Sequence, residues 1–223
     1  GACVVRSDAP QTGTPPHLHT IYALHSAIQS GQSLSLQGST VTPIIGTKGQ
    51  LQCQTGGSTG KPKTIIRSHQ SWIASFEVNQ SLFALTDRDC VAVFGGLQHS
   101  LTAYAIIEAA HIGADISILA GLRPNRQIAA IIANSVTYIY VTPTQLKLLL
   151  SAKTPAPTLR HIIVGGGALT EDVIKDCART FEQAKITQFY GASETSFITL
   201  TGSTTPKGSV GKAYPNVTLK LLD

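Results

Sequence analysis

"VTYIYV" (Val136–Val141), "TQLKLLLS" (Thr144–Ser151), "RHIIV" (Arg160–Val164), "TEDVIKDCARTF" (Thr170–Phe181) and "KITQFY" (Lys185–Tyr190) follow one another and decide the fold. The first and third pieces read as strands, the fifth closes the series, and "VTYIYV" is rich in the β-branched and aromatic residues that suit a pleated, buried surface. The second and fourth have helical spacing, with Thr170 placed as an N-cap and Glu171 and Asp172 at the positive helix end. Strand, helix, strand, helix, strand is the result. Working outward, "ADISIL" (Ala114–Leu119) and "CVAVF" (Cys90–Phe94) read as further strands, and Leu101–His111 and Pro124–Asn134 as helices, the latter with Pro suited to its first turn. His69–Leu85 is an amphipathic helix with Trp72, Ile73, Phe76, Gln80 and Phe83 near helical spacing.

Short apolar strands alternating with helices predict an α/β fold, a parallel sheet flanked by helices. Ligands of such sheets sit beyond the carboxyl ends of the strands. "GGLQHS", "GGGALT" and "YGASET" each follow a predicted strand directly, so three glycine-bearing loops are expected at one edge. The region before residue 69 is more broken, and the tail from Ser196 has strand-like pieces, "SFITL" and "VTLKLL", around glycine-rich turns.

Bulk properties narrow the class. Hydrophobic residues make up 42% of the 223 and charged residues 13%, which excludes a disordered chain. The net charge of +5 is spread without a basic run, so nucleic acid is not indicated. The basic residues Lys61, Lys63 and Arg67 cluster on a glycine-rich loop, which points to a small phosphorylated ligand. Cys3, Cys53, Cys90 and Cys177 are far apart, which argues against zinc and a disulfide framework and for reduced, cytoplasmic thiols. Apolar runs are too short for a bilayer span, and no secretory signal opens the chain. With no methionine at all, the sequence is expected to begin inside a longer natural chain.

The loop itself is "QTGGSTGKPKTI" (Gln54–Ile65). It is not a Walker A loop: Thr55 stands five before Gly60, and Pro62 occupies the place of the magnesium-binding hydroxyl. Gly165 and Gly167 begin a dinucleotide fingerprint that Thr170 ends, and Gly191–Thr195 lacks the second glycine of a nucleophile elbow. What remains is the hydroxyls of Ser58 and Thr59, the backbone N–H groups of Gly56, Gly57 and Gly60, and two lysines, a set suited to polyphosphate. The bland alternative is a glycine-rich hairpin between "LQCQT" and "TIIRS".

"TGGSTGKPK" (Thr55–Lys63) resembles the phosphate loop of the AMP-forming adenylating superfamily, which holds acyl-CoA synthetases, peptide-synthetase adenylation domains and luciferases. It departs from the common pattern at Gly56, often Ser, and at Thr64, usually Gly. "YGASET" (Tyr190–Thr195), "LQHS" around His99, "GGGAL" (Gly165–Leu169) and "GSVGKAYPNV" (Gly208–Val217) resemble four more of its segments in order.

The resemblance implies ATP-dependent activation of a carboxylic acid to an acyl-adenylate with release of pyrophosphate, then transfer to a thiol, coenzyme A foremost. It implies that Thr55, Ser58, Thr59 and Lys63, with the backbone of Gly56, Gly57 and Gly60, hold the β- and γ-phosphates. Glu194 would hold Mg2+, Thr195 would donate to phosphate, and Tyr190, with Gly191 beside it, would lie against adenine. Gly165, Gly166, Gly167 and Ala168 would line the adenine and acyl pockets, and His99 the carboxylate end of the acid. His99 would otherwise cap the helix at Leu101, and the remaining histidines read as structural. Residues 1–223 are expected to be part of the large AMP-binding domain, with about 84–192 its central α/β subdomain. The family's ribose-binding Asp and the small C-terminal domain with its catalytic lysine would follow Asp223. The isolated chain is therefore expected to be nearly inactive. Leu101–Ile107 lacks the acid that would bind an amino group, so a non-amino acid, fatty or aryl, is favoured. The alternatives are a non-catalytic nucleotide-binding remnant and an adenylation domain that loads a carrier protein.

Overall fold

The computed structural model describes residues 4–5, 16–37, 40–55, 63–202 and 204–220, with 4–5, 16–22, 37 and 54–55 described by backbone alone. Along the chain run β1 (Val4–Val5), α1 (Pro16–Gln29), β2 (Gln32–Gln37), β3 (Thr40–Lys48), β4 (Gln50–Thr55) and β5 (Lys63–Ser68). Then come α2 (His69–Phe83), β6 (Cys90–Val93), α3 (Ser100–Ile112), β7 (Asp115–Ile118), α4 (Pro124–Ala133) and β8 (Tyr138–Val141). The last are α5 (Pro143–Leu150), β9 (His161–Val164), α6 (Glu171–Thr180), β10 (Lys185–Ala192), β11 (Ser196–Leu200) and β12 (Lys212–Ala213).

The main sheet has the order β1-β7-β6-β8-β9-β10-β11-β12, and its five central strands are parallel. β6 and β8 are buried along their whole length, as the apolar runs predict. Their side chains alternate between two cores, which is the period-2 geometry of a strand. Val91, Val93, Tyr138, Tyr140 and Ile163 meet α2 and α3 on one face. Cys90, Ala92, Ile139, Val141 and Ile162 meet α4, α5 and α6 on the other.

The helix ends follow their local chemistry. Thr170 caps α6 by accepting from the Val173 N–H, and Thr142 and Gln145 form a reciprocal capping box on α5 behind Pro143. α3 ends at Gly113, whose φ of 85° is the left-handed conformation that glycine adopts without cost.

The region before residue 69 forms a second sheet, ordered β3-β2-β4-β5. β4 and β5 pair antiparallel from Gln50↔Ser68 to Thr55↔Lys63, so the hairpin named as the bland alternative is present at the base of the glycine loop. Residues 56–62, including Gly56, Gly57, Ser58, Thr59 and Gly60, lie outside the described residues. "SFITL" is a strand, whereas Val217–Lys220 of "VTLKLL" takes no regular structure. On α2 the buried position is Asn79 and not the expected Gln80. Cys53, Cys90 and Cys177 are free and buried, and among the described residues no helix is long and apolar enough to cross a membrane.

Candidate active site

The three loops meet, as expected. A cavity of about 360 Å³ opens at the carboxyl ends of β6, β8, β9 and β10. Its polar rim is formed by His99 and Ser100 at the start of α3, Thr142 after β8, Gly165 and Gly166 after β9, and Gly191 to Ser193 at the end of β10. Its apolar wall is Trp72, Leu101, Tyr104, Phe189 and Phe197.

Two of the glycines have a packing reason to be there. A Cβ at Gly165 would lie 2.2 Å from the Phe189 ring, so the absent side chain lets that ring form the cavity wall. A Cβ at Gly191 would lie 2.0 Å from the Ser196 carbonyl oxygen. That close approach comes from the β-bulge between Tyr190 and Gly191, where β10 turns back into β11. The bulge aims the turn Ala192–Ser196 at the rim and leaves Tyr190 57% exposed, unusual for a tyrosine in a strand that joins the core sheet. Within the turn, Thr195 Oγ1 accepts from the Ala192 N–H at 3.2 Å.

Arg67 ties this turn to the glycine-loop hairpin. Its Nη1 donates to the Ser193 carbonyl at 3.3 Å and to Ser196 Oγ at 3.2 Å, while its Nε donates to Ser71 Oγ at 3.2 Å. Burial lowers the Arg67 pKa, partly countered by Cys53, Tyr104 and Glu194 nearby. Ser193 Oγ also donates to Ser100 Oγ at 2.8 Å, which fixes the turn against the first residue of α3. On the β9 side, the Leu169 N–H donates to Gln188 Oε1 at 2.8 Å and holds the "GGGAL" loop to β10.

Behind the apolar wall lies a buried polar network. Asn79 Nδ2 donates to Glu108 Oε1 at 2.8 Å and to the Tyr104 hydroxyl at 3.1 Å, and Tyr140 donates to Glu108 Oε2 at 2.7 Å. Tyr214 donates to Asn79 Oδ1 at 2.8 Å and stacks on Phe197 with ring centroids 5.1 Å apart. Burial raises the Glu108 pKa to about 7 against the opposing hydrogen bonds from Tyr140 and Asn79, and it pushes the Tyr104 hydroxyl well above its ordinary value.

Of the residues singled out in the sequence, His99, Gly165, Gly166 and Gly191 line the cavity. Tyr190, Glu194 and Thr195 are exposed on the adjoining hairpin, Gly167 and Ala168 are exposed on the β9 loop, and Lys63 is exposed at the hairpin base. Thr55 ends β4 opposite Lys63. His99 stands at the N-cap of α3 but makes no side-chain cap bond, so capping does not account for it. His69 and His161 are held below their ordinary pKa chiefly by burial, which fits structural roles. Sequence reading missed Arg67 as the link, Ser100 and Ser193 as its extension, and Trp72, Tyr104 and Phe189 as walls. The signals were Arg67, clustered with Lys61 and Lys63 beside the glycine loop, and Trp72, which helical spacing marked as core.

No cluster of three metal-ligating side chains occurs among the described residues. A magnesium ion carried by a nucleotide needs only one or two protein carboxylates beside the phosphates. Glu194 is exposed, and the ion pairs among the described residues join Asp89 with Arg160, Asp176 with Arg179 and Glu171 with Lys207, not Glu194.

Residues 51–223 match the family described as AMP-binding enzyme. VraA from Staphylococcus haemolyticus (strain JCSC1435), provisionally named a long chain fatty acid-CoA ligase, is 35% identical over 169 residues, covering 75% of this chain and 36% of that protein. The uncharacterised acyl-CoA ligase YhfT from Bacillus subtilis (strain 168) is 29% identical, covering 75% and 36%. The crystal structure of VinN superposes with a TM-score of 0.69 at 20% identity, over 81% of this chain and 47% of VinN. O-succinylbenzoate CoA synthetase from Bacillus subtilis, in complex with ATP and magnesium, gives 0.64 at 23% identity, over 74% and 35%. The fold is that of the large domain of adenylating enzymes, of which the chain spans a part. It belongs to the AMP-binding enzyme family, and it spans little more than a third of the length of the ligases it matches.

Proposed function

We propose that this chain is the nucleotide- and acid-binding part of a ligase that activates a carboxylic acid with ATP, forming an acyl-adenylate and pyrophosphate, and passes the acyl group to the thiol of coenzyme A. Residues 1–223 form part of its large domain, with about 84–192 the central subdomain. The observation that carries the reading is the joining of the glycine-loop hairpin, the "YGASET" turn and the start of α3 around one cavity, through Arg67, Ser193 and Ser100.

In this reading the loop from Thr55 to Lys63 holds the β- and γ-phosphates with backbone N–H groups, hydroxyls and the Lys63 ammonium. Exposed Tyr190 offers a flat face to adenine, and Gly165 to Ala168 leave room for it. Thr195 donates to phosphate. His99, at the mouth of the cavity, meets the acid's carboxylate end. Glu194 holds the magnesium ion, which when bound neutralises charge on the phosphates as pyrophosphate departs. Among the described residues the cavity lining includes no Asp or Glu to receive an ammonium group, which supports a non-amino acid. Coenzyme A as acceptor rests on the names of the relatives.

The test is ATP–pyrophosphate exchange by the natural full-length polypeptide across a panel of carboxylic acids, with Glu194→Gln beside the wild type. At least one acid should support exchange, and the variant should lose about a hundredfold or more in rate across a magnesium titration. ATP binding without exchange for any acid would move the assignment to a nucleotide-binding remnant. The isolated 223-residue chain should bind ATP weakly and release almost no pyrophosphate.

A further inference from the structure

We infer that the acid is compact, an aryl or short-chain carboxylic acid, and that Trp72 is the wall that sets its length. The inference rests on the acid-activation reading and narrows it.

Three cavities are linked by shared lining residues: Trp72 is common to the first and second, and Ile28, Ile73, Phe76 and Ile107 to the second and third. Trp72 lines the 360 Å³ cavity on one side and, on the other, a void of about 10 Å³ shared with Ile73, Phe76 and Ile107. Phe76, Ile73 and Ile107 in turn line a third cavity of about 80 Å³ between α1, α2 and α3. A long acyl tail would have to pass Trp72 and then Phe76 to use that space. The indole blocks it. It is 3% exposed, its ring centroid is 5.3 Å from that of Tyr104, and Phe76 meets it edge-on at 6.2 Å. Nor does the partition have room to swing. Phe76 is also packed at 4.9 Å against Tyr104, whose hydroxyl is pinned by Ser75 at 2.7 Å and Asn79 at 3.1 Å. Close-packed interiors of this kind resist displacement of a single ring.

Size and shape agree. A volume of about 360 Å³ is near the lower end of small-molecule sites, roughly 300–1,000 Å³, and the carboxylate end and the attacked phosphate must share it. The apolar wall of the cavity includes the rings of Trp72, Tyr104, Phe189 and Phe197, with Tyr104 and Phe197 T-shaped at 5.4 Å. Such a lining favours a flat ring, which gains edge-to-face contacts a flexible chain cannot make.

Trp72 is also a suitable residue to change. Its indole N–H has no hydrogen-bond partner among the described residues, so Trp72→Leu or Trp72→Phe removes packing without orphaning another polar group. Exchange rates of the natural full-length polypeptide are measured over benzoate, phenylacetate, butanoate, octanoate and palmitate. The wild type should favour the aryl and short acids over palmitate by at least about tenfold in kcat/KM, since one misfit methylene already costs that much. Trp72→Leu should move the optimum toward octanoate with the circular dichroism spectrum unchanged, and Trp72→Phe should do so less. Trp72 is the sole tryptophan, so the emission of the 223-residue chain should shift or quench on adding the preferred acid and not on adding palmitate. A wild type that prefers palmitate, or a folded Trp72→Leu variant with an unaltered profile, overturns the inference while leaving acid activation intact. Exchange with none of the acids, in any variant, overturns both.

Discussion

The two ends of the parallel strands are built on opposite plans. At the amino ends, Asp89, Thr137 and Arg160 immediately precede β6, β8 and β9 and are bonded to one another. Thr137 Oγ1 donates to Asp89 Oδ1 at 2.6 Å, the Thr86 N–H donates to Asp89 Oδ2 at 2.8 Å, and Arg160 closes an ion pair with Asp89. Backbone bonds from Asp115, Thr137 and Arg160 continue the ladder across the same edge. At the carboxyl ends the loops are held at their bases by Arg67, Ser193 and Gln188, while the groups aimed outward, His99, Tyr190 and Glu194, are left exposed. One edge bonds its polar groups to one another, and the other leaves several of them exposed beside the cavity. Stability should therefore reside at the first and activity at the second.

The largest expected effects test that division directly. Asp89→Ala removes a buried acceptor and leaves Thr137 and the half-exposed Arg160 without it, which should cost about 2–3 kcal/mol of unfolding free energy. Denaturant titration would measure it, and the exchange rate of the protein that remains folded should change little. Glu194→Gln should do the reverse, with stability within about 0.5 kcal/mol of wild type. A destabilised Glu194→Gln, or a fully stable Asp89→Ala that has lost activity, would break the comparison.

Much of this architecture was legible in the sequence, and unevenly so. β6, β8 and β9 and their helices were readable because strands buried on both faces appear as unbroken apolar runs, whereas half-polar β10 was read from its place in the strand–helix alternation. The second sheet was not. "QSLSLQ" and "QLQCQT" are half polar, and the parallel pairing of β2 with β4 joins strands separated by β3. The Arg67–Ser193 bond joins positions 126 residues apart, and no local pattern encodes it. Asn79 in place of Gln80 has a similar cause. Positions 79 and 80 both fit helical spacing after Phe76, and only the contact of Asn79 with Glu108 on α3, invisible on α2 alone, decides between them.

A smaller effect sharpens the comparison at the site edge. Arg67→Lys keeps the charge but loses the planar fork that reaches both the Ser193 carbonyl and Ser196 Oγ. If Arg67 aligns the magnesium-binding turn with the phosphate loop, KM for the ATP–magnesium complex should rise about tenfold, roughly 1.4 kcal/mol, with the melting temperature nearly unchanged. A fall in melting temperature with KM preserved would make Arg67 a member of the structural edge instead.

The smallest effect concerns pH, where the two buried carboxyls pull in opposite directions. Burial raises the Asp89 pKa, but hydrogen bonds from Thr137 and Thr86 and the charge of Arg160 outweigh it, and the net value lies below the ordinary one. Its contribution to stability is therefore present above about pH 4 and is lost as pH falls through the folded value. Glu108 is the reverse, raised by burial to about 7. The folded protein holds its proton where the unfolded chain has already released it. Its contribution is complete below about pH 4 and is lost as pH rises toward and through 7. Glu108→Gln replaces the carboxylic acid with a neutral group of similar shape that cannot ionise. Its unfolding free energy should fall less between pH 5 and pH 8 than that of the wild type, by about 1 kcal/mol, because a buried site relaxes when it ionises and recovers part of the cost. For a chain of this size that is a difference of about 2–4 °C in melting temperature at the upper end of the range. Parallel pH slopes for the two proteins would mean that Glu108 does not titrate in the folded state. The network behind Tyr104 would then be a fixed part of the cavity wall at every pH.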